Sequence, residues 1–254
     1  MADAVPDDLQ VAREGATLHL RLHRPQARNA INPAMYDGLR AALATAAADD
    51  TLTTVLLSAE GATFCAGNDI AGLQAVRALP MDERPGFRFM QALAAFPKPV
   101  VAAVAGRAVG IGATLLLHCD LVYLEPDATL LLPFARLGLV PEFASSLLLP
   151  RMAGHARAAR WLLLGEPMSA HDARDIGLAS EVVATGTALA RAQAACAAMA
   201  DLSSPSLIAT KALMREGVEA RVREVMVREM AQLSEFLNSP ATQARLAAGR
   251  TPRA

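Results

Sequence analysis

Residues 100–118 read VVAAVAGRAVGIGATLLLH, and this stretch decides the fold. Val100–Val104 is a short, continuous apolar run, the pattern of a strand buried on both faces. It passes into a loop of small residues, Ala105–Gly112, and then into an apolar helix reaching about His118. The same order recurs upstream. Thr53–Ser58 (TTVLLS) is a second buried strand, and it leads into a loop, Ala59–Asn68, that holds two glycines and a cysteine. Further strands are expected at Thr17–Leu22, Leu121–Leu124 and Thr129–Leu132. Helices are expected from Asn32, an N-cap followed by Pro33, to about Ala48, and again over Pro85–Phe96, Ala144–Ala153 and His155–Leu164. Strands alternating with helices define an α/β fold.

Composition narrows the function. The chain has 254 residues, 53% of them apolar, and 24 basic side chains against 25 acidic ones. A net charge near zero leaves no basic excess to neutralise phosphates, so nucleic acid is not an expected partner. Cys65, Cys119 and Cys196 cannot all pair and none lies in a CxxC, which argues against a disulfide framework and against a bound metal. Residues 1–8 are acidic and lack the basic and apolar regions of a signal peptide. No run approaches the ~20 uninterrupted apolar residues of a membrane span, so no membrane partner is expected and the expected location is cytoplasmic.

The chain end has its own character. Val218, Val222, Val225, Met226, Met230, Leu233 and Leu237 recur at helical spacing within 206–237, with Gly217 expected to break the run into two helices. The stripe either packs on the chain's own core or makes a subunit contact.

The two loops carry the chemistry. Small residues let a ligand approach the backbone, and two converging loops can aim two N–H donors at one oxygen, the geometry of an oxyanion hole. Taken singly, either loop reads more readily as ordinary turn chemistry. Gly110-Ile111-Gly112 lacks the third glycine of a dinucleotide fingerprint.

Four ordered motifs together resemble the crotonase (enoyl-CoA hydratase/isomerase) superfamily: Arg24-Pro25 with Arg28-Asn29-Ala30-Ile31-Asn32; Phe64-Cys65-Ala66-Gly67-Asn68-Asp69-Ile70; Lys98 to Gly106; and Gly110-Ile111-Gly112. The resemblance spans about Leu18 to Lys211. It implies an α/β spiral of ββα repeats over 1–200 holding an acyl-CoA site. It also implies a helical oligomerisation region over 201–254 that builds a homotrimer or a dimer of trimers. It further implies an acyl-CoA thioester as substrate, with coenzyme A part of that substrate and no separate cofactor. By position, the oxyanion donors are the backbone N–H groups of Asn68 and Ile111, the isoleucine side chain narrowing the space nearby. Arg28, Ala30, Ala66, Asp69 and Ile70 match the family's coenzyme A-binding positions, with Gly110 and Phe134 also expected against the substrate. Lys211 is a candidate for the coenzyme A phosphates, or else a solvated helix lysine.

The base decides the reaction. Hydratases of this family use two glutamates, and the matching positions here hold Thr114 and Phe134, neither of which is a carboxylate. Leu137 to Ser146 resembles the segment of peroxisomal-type Δ3,Δ2-enoyl-CoA isomerases in which the glutamate after proline is the base, and Glu142 occupies that position. Without the resemblance, Glu142 reads as a helix-start glutamate. Asp82 and Glu83 are reserve candidates for a second acid. His118, Cys119, Cys65 and Trp161 read as packing. The expected activity is a Δ3,Δ2-enoyl-CoA isomerase with Glu142, Asn68 and Ile111 as catalytic groups. An enoyl-CoA hydratase and a non-catalytic coenzyme A-binding subunit are the alternatives.

Overall fold

The computed structural model describes residues 6–248. The acidic start at residues 1–5 and the last residues of the expected 201–254 region, 249–254, lie outside the described residues.

Strands β1 (Leu9–Glu14) and β2 (Thr17–Leu22) form an antiparallel hairpin. Helix α1 (Pro33–Ala48) follows, and the Asn32 side chain caps it by accepting the Met35 N–H at 2.9 Å. The chain then repeats a motif. A long strand, a short strand and helix come as β3 (Thr54–Ala59), β4 (Thr63–Cys65), α2 (Ile70–Val76) and α3 (Pro85–Ala94). They return as β5 (Val100–Val104), β6 (Arg107–Val109) and α4 (Ile111–Thr114), which tightens into a 3-10 turn over Leu115–His118. The third repeat is β7 (Leu121–Leu124), β8 (Thr129–Leu131), α5 (Phe134–Leu137), α6 (Ser145–Ala153) and α7 (His155–Leu163). β9 (Met168–Ser169), α8 (Ala170–Asp175), β10 (Glu181–Val182) and α9 (Ala188–Ala200) follow. Helices α10 (Ser204–Arg215), α11 (Glu219–Leu237) and α12 (Pro240–Ala247) close the described chain.

The long strands pair in the order β1-β2-β3-β5-β7-β10 and the short ones as β4-β6-β8-β9. From β2 to β10 the large sheet is parallel. The expected spiral of ββα repeats is therefore present. Burial on both faces explains the unbroken apolar runs of β3 and β5. Val55 and Leu57 point to one face with Val100, Ala102 and Val104, under α1. Leu56, Val101 and Ala103 point to the other, under Ala188, Ala192 and Cys196 of α9. Each fully buried Leu or Val contributes about 1.5–3 kcal/mol.

Two expectations change and one strand is added. Both loops are partly strand: β4 lies inside 59–68 and β6 inside 105–112, because three residues are too few to display a period. β1 carries no strand pattern of its own, since only Leu9 of its six residues is buried. The apolar stripe of α11 is buried within the chain against α3, α6 and α12, so it is not itself a free subunit face. Gly217 (φ +78°) does separate α10 from α11.

Candidate active site

Two loops meet because their glycines leave room. A Cβ on Gly112 would lie 2.6 Å from Cys65 Cβ, so α4 can sit against β4 only without a side chain there. Gly67 (φ +99°) comes so close to β6 that a Cβ would stand 3.1 Å from the Val109 carbonyl. Backbone bonds fix the first loop. Ile31 N–H donates to Gly67 O at 2.8 Å, Asp69 N–H to Ile31 O at 2.9 Å, and Ala66 N–H to Arg28 O at 2.9 Å. Asn68 N–H is skipped by this ladder and has no acceptor among the described residues. Its side chain is held, for Tyr36 OH donates to Asn68 Oδ1 at 2.6 Å. In the second loop Gly110 N–H donates to Leu131 O at 2.9 Å, while the N–H of Ile111, first residue of α4, likewise has no acceptor among the described residues. The Ile111 side chain is fully buried in the core and does not line the cavity, so it leaves that cavity unnarrowed, against expectation.

Glu142 faces these loops. Its carboxyl is 4% exposed, yet Oε1 is buried with no hydrogen-bond partner. Burial pushes its pKa up to about 8, and the charge of nearby Glu229 adds to the rise. The next two residues are left-handed without being glycine, Phe143 at φ +60° and Ala144 at φ +56°. Each such residue costs on the order of 1–2 kcal/mol, and strain of this kind concentrates at functional sites. Several contacts hold the turn. Ser145 donates to Glu142 O from N–H (3.1 Å) and Oγ (2.7 Å). His118 Nε2 lies 2.8 Å from Phe143 O, and its ring stacks on Phe143 at 3.8 Å. A carbonyl only accepts, so Nε2 carries the proton. Burial pulls the His118 pKa down to about 4, which keeps the ring neutral. Glu229 accepts from the N–H groups of Ala144 (2.6 Å) and Ser146 (3.0 Å) and from Ser146 Oγ.

Between the loops and Glu142 lies a cavity of about 470 Å³. Arg28, Ala30, Ala66, Asp69 and Ile70 all line it, as do Asn68, Gly110, Phe134 and Glu142. Asp69 is already committed: its side chain caps α2 through Gly72 N–H (2.8 Å) and pairs with Arg24 (2.8 Å). Burial alone would raise its pKa, but these partners outweigh it and hold the carboxyl below its usual range. Phe134, itself buried, puts an aromatic ring in this lining. Thr114 is fully buried.

Other candidates fall elsewhere. Lys211 is neither at the cavity nor solvated. It is 6% exposed, with Nζ bonded to Lys98 O and to Asp120 Oδ2, both at 2.7 Å, so a coenzyme A phosphate would have to displace an existing, partly buried ion pair. Asp82 and Glu83 are exposed in a single 3-10 turn and do not line the cavity, whereas the adjacent Arg84 does. The buried Cys65 thiol is pushed up to about 12 by desolvation, which makes it inert as a nucleophile. Trp161 is core. Among the described residues, no group of three or more His, Cys, Asp or Glu side chains is placed to hold a metal, and no helix is long and apolar enough to cross a membrane.

Sequence reasoning missed Tyr36 and Glu229, and also the cavity walls from the chain end: Met230 and Leu233 of α11, Arg245 and Leu246 of α12. The cavity thus draws on both expected regions. Tyr36 carries no motif; its phenol is buried, which with the Glu142 charge raises its pKa well above the ordinary value.

Comparison with known proteins identifies the family. The enoyl-CoA hydratase/isomerase family model matches residues 12–250. The chain is 34% identical over 229 residues to enoyl-CoA delta isomerase 2 of Rattus norvegicus, covering 88% of this chain and 58% of that one. It is 33% identical over 224 residues to 2,3-dehydroadipyl-CoA hydratase of Escherichia coli (strain K12), covering 87% of each. Among solved structures, Pseudomonas aeruginosa OdaA aligns with a TM-score of 0.93 and 41% identity over 97% of this chain and 100% of that one. Motifs, fold and relatives lead to one assignment: the chain belongs to the enoyl-CoA hydratase/isomerase family.

Proposed function

We propose that this family member is a Δ3,Δ2-enoyl-CoA isomerase working through one carboxylate. The thioester oxygen of a 3-enoyl-CoA takes the two free N–H groups of Asn68 and Ile111. Negative charge grows on that oxygen as the C2 proton leaves, and each such donor is worth about 3–4 kcal/mol in transition-state stabilisation. Glu142 takes the C2 proton, the electron pair of that C–H bond delocalises into a dienolate, and the same carboxyl returns the proton at C4. The 2-enoyl thioester results with no net gain or loss of atoms. A carboxylate with a pKa near neutrality suits both halves of this transfer. Phe134 excludes water from it. No separate cofactor is required.

The observation that carries this reading is the buried, unpartnered Oε1 of Glu142 in the cavity wall. Syn hydration needs a second acid, and among the described residues the only other carboxylate lining the cavity is Asp69, which is tied to Arg24 and Gly72. The similarity to the rat isomerase supports the same choice. Similarity to the Escherichia coli hydratase keeps hydration as the second reading. Incubating a 3-enoyl-CoA and crotonyl-CoA in parallel separates the two. Rising conjugated-enoyl absorbance on the former, with a stable signal on the latter, is expected. Loss of crotonyl-CoA absorbance with no turnover of the 3-enoyl thioester overturns the proposal. The homotrimer or dimer of trimers is likewise proposed, with the exposed Leu213 and Met214 of α10 as contact candidates, and light scattering measures it.

A further inference from the structure

Glu142 makes no hydrogen bond through Oε1, so its aim is set by the backbone that carries it. That backbone is the left-handed pair Phe143–Ala144 leading into α6, a helix whose N-cap residue, Ala144, has no side chain able to cap it. The missing cap arrives from far along the chain. Glu229 on α11, itself 6% exposed, places one carboxyl oxygen on Ala144 N–H and the other on Ser146 N–H and Oγ.

We propose that Glu229 is a positioning residue for the base: its carboxylate clamps the Phe143–Ala144 turn and so aims Glu142 into the cavity. The proposal rests on the reading of Glu142 as the proton-transfer group. Glu229 is not a second acid for substrate, because three donors already occupy its oxygens and it does not line the cavity. A neutral amide cannot replace it, since its NH2 would face backbone N–H donors. His118 completes the clamp by holding Phe143 O. The next residue on α11, Met230, lines the cavity, so one helix carries both a cavity wall and the restraint on the base.

Glu229 also acts by charge. Around Glu142 stand Tyr36 from α1, Cys65 from β4, and Glu229 from α11 with Arg228 beside it, while His118 from the 3-10 turn after α4 packs on the adjacent Phe143. Burial keeps the phenol, thiol and imidazole neutral near pH 7, so the Glu229 carboxylate, moderated by Arg228, is the charge that varies the basicity of Glu142.

Three measurements on the full chain test this, two of them independent of any substrate. Infrared titration of the Glu142 carboxyl, assigned by its loss in Glu142→Gln, should show the midpoint lower by about half a pH unit or more in Glu229→Gln. Amide exchange over 143–147 should speed up about tenfold or more in both Glu229→Gln and Glu229→Asp, since the shorter side chain keeps the charge but loses its reach. On 3-enoyl-CoA, Glu229→Asp should lose about tenfold or more in kcat with KM changed less than about threefold. An unmoved midpoint in Glu229→Gln overturns the charge effect, and unchanged exchange in both variants overturns the clamp. If the wild-type chain leaves 3-enoyl-CoA untouched while midpoint and exchange move as expected, the proposed reaction fails and the clamp stands.

Discussion

The two halves of the site are built differently. On the oxyanion side, donors come from backbone N–H groups in loops that directly follow strands, and glycines at 67 and 112 set how closely those loops meet. On the base side, one side chain sits on a strained turn whose restraints, His118 and Glu229, lie 25 and 85 residues away along the chain from the atoms they hold. Local geometry makes the first half; tertiary contact makes the second. Damage to the first should therefore weaken charge stabilisation by steps, whereas loss of the base itself should remove the proton transfer outright.

Glu142→Gln gives the largest expected effect. It keeps shape but cannot take a proton, so turnover should fall about a thousandfold or more while binding of coenzyme A thioester, measured calorimetrically, stays within a few-fold. Loss of binding along with turnover would erase the division between the halves. Next comes Gly112→Val, which forces atoms into Cys65. About 1–3 kcal/mol or more of stability should be lost, seen as a lower Tm, and kcat should drop because α4 carries the Ile111 donor. Tyr36→Phe removes the bond to Asn68 Oδ1 and leaves the N–H donor itself in place. A cost of about 1 kcal/mol, less than about tenfold in kcat, is expected.

A separate effect is on stability against pH. Glu142 rises from an ordinary 4.5 to about 8 on folding, so the folded state holds the extra proton between those values. Its contribution to stability is complete below about pH 4.5 and is lost as pH rises through about 8. Wild-type Tm should fall from pH 6 to 9, and Glu142→Gln should fall less. Parallel curves would mean that the carboxyl is not buried in solution.

The same contrast explains what could be read in the sequence. Continuous apolar runs at Val100–Val104 and Thr53–Ser58 announced the central strands because both their faces are covered, and the small-residue loops behind them announced the donors. Glu142 is indistinguishable by pattern from a helix-start glutamate; only resemblance to a family segment singled it out. Glu229 gives no local signal, since a glutamate next to Arg228 on a helix of mixed charge reads as a solvated residue, and its task depends on a turn far upstream. Lys211 misled for the same reason. Its partner Asp120 is 91 residues away, and without that pairing a helix lysine looks free for phosphate. The Ile111 side chain turned inward because α4 starts against β4, a packing that residue order does not show.

The central claim is that one buried carboxyl carries a proton from C2 to C4. Turnover of a 3-enoyl-CoA deuterated at C2, in ordinary water, tests it directly. Because Glu142 is shielded from solvent, a measurable part of the label should arrive at C4 of the 2-enoyl product, and Glu142→Gln should yield neither product nor transferred label. A product carrying hydroxyl at C3, or label washed entirely into solvent at a rate that Glu142→Gln leaves unchanged, would contradict the account.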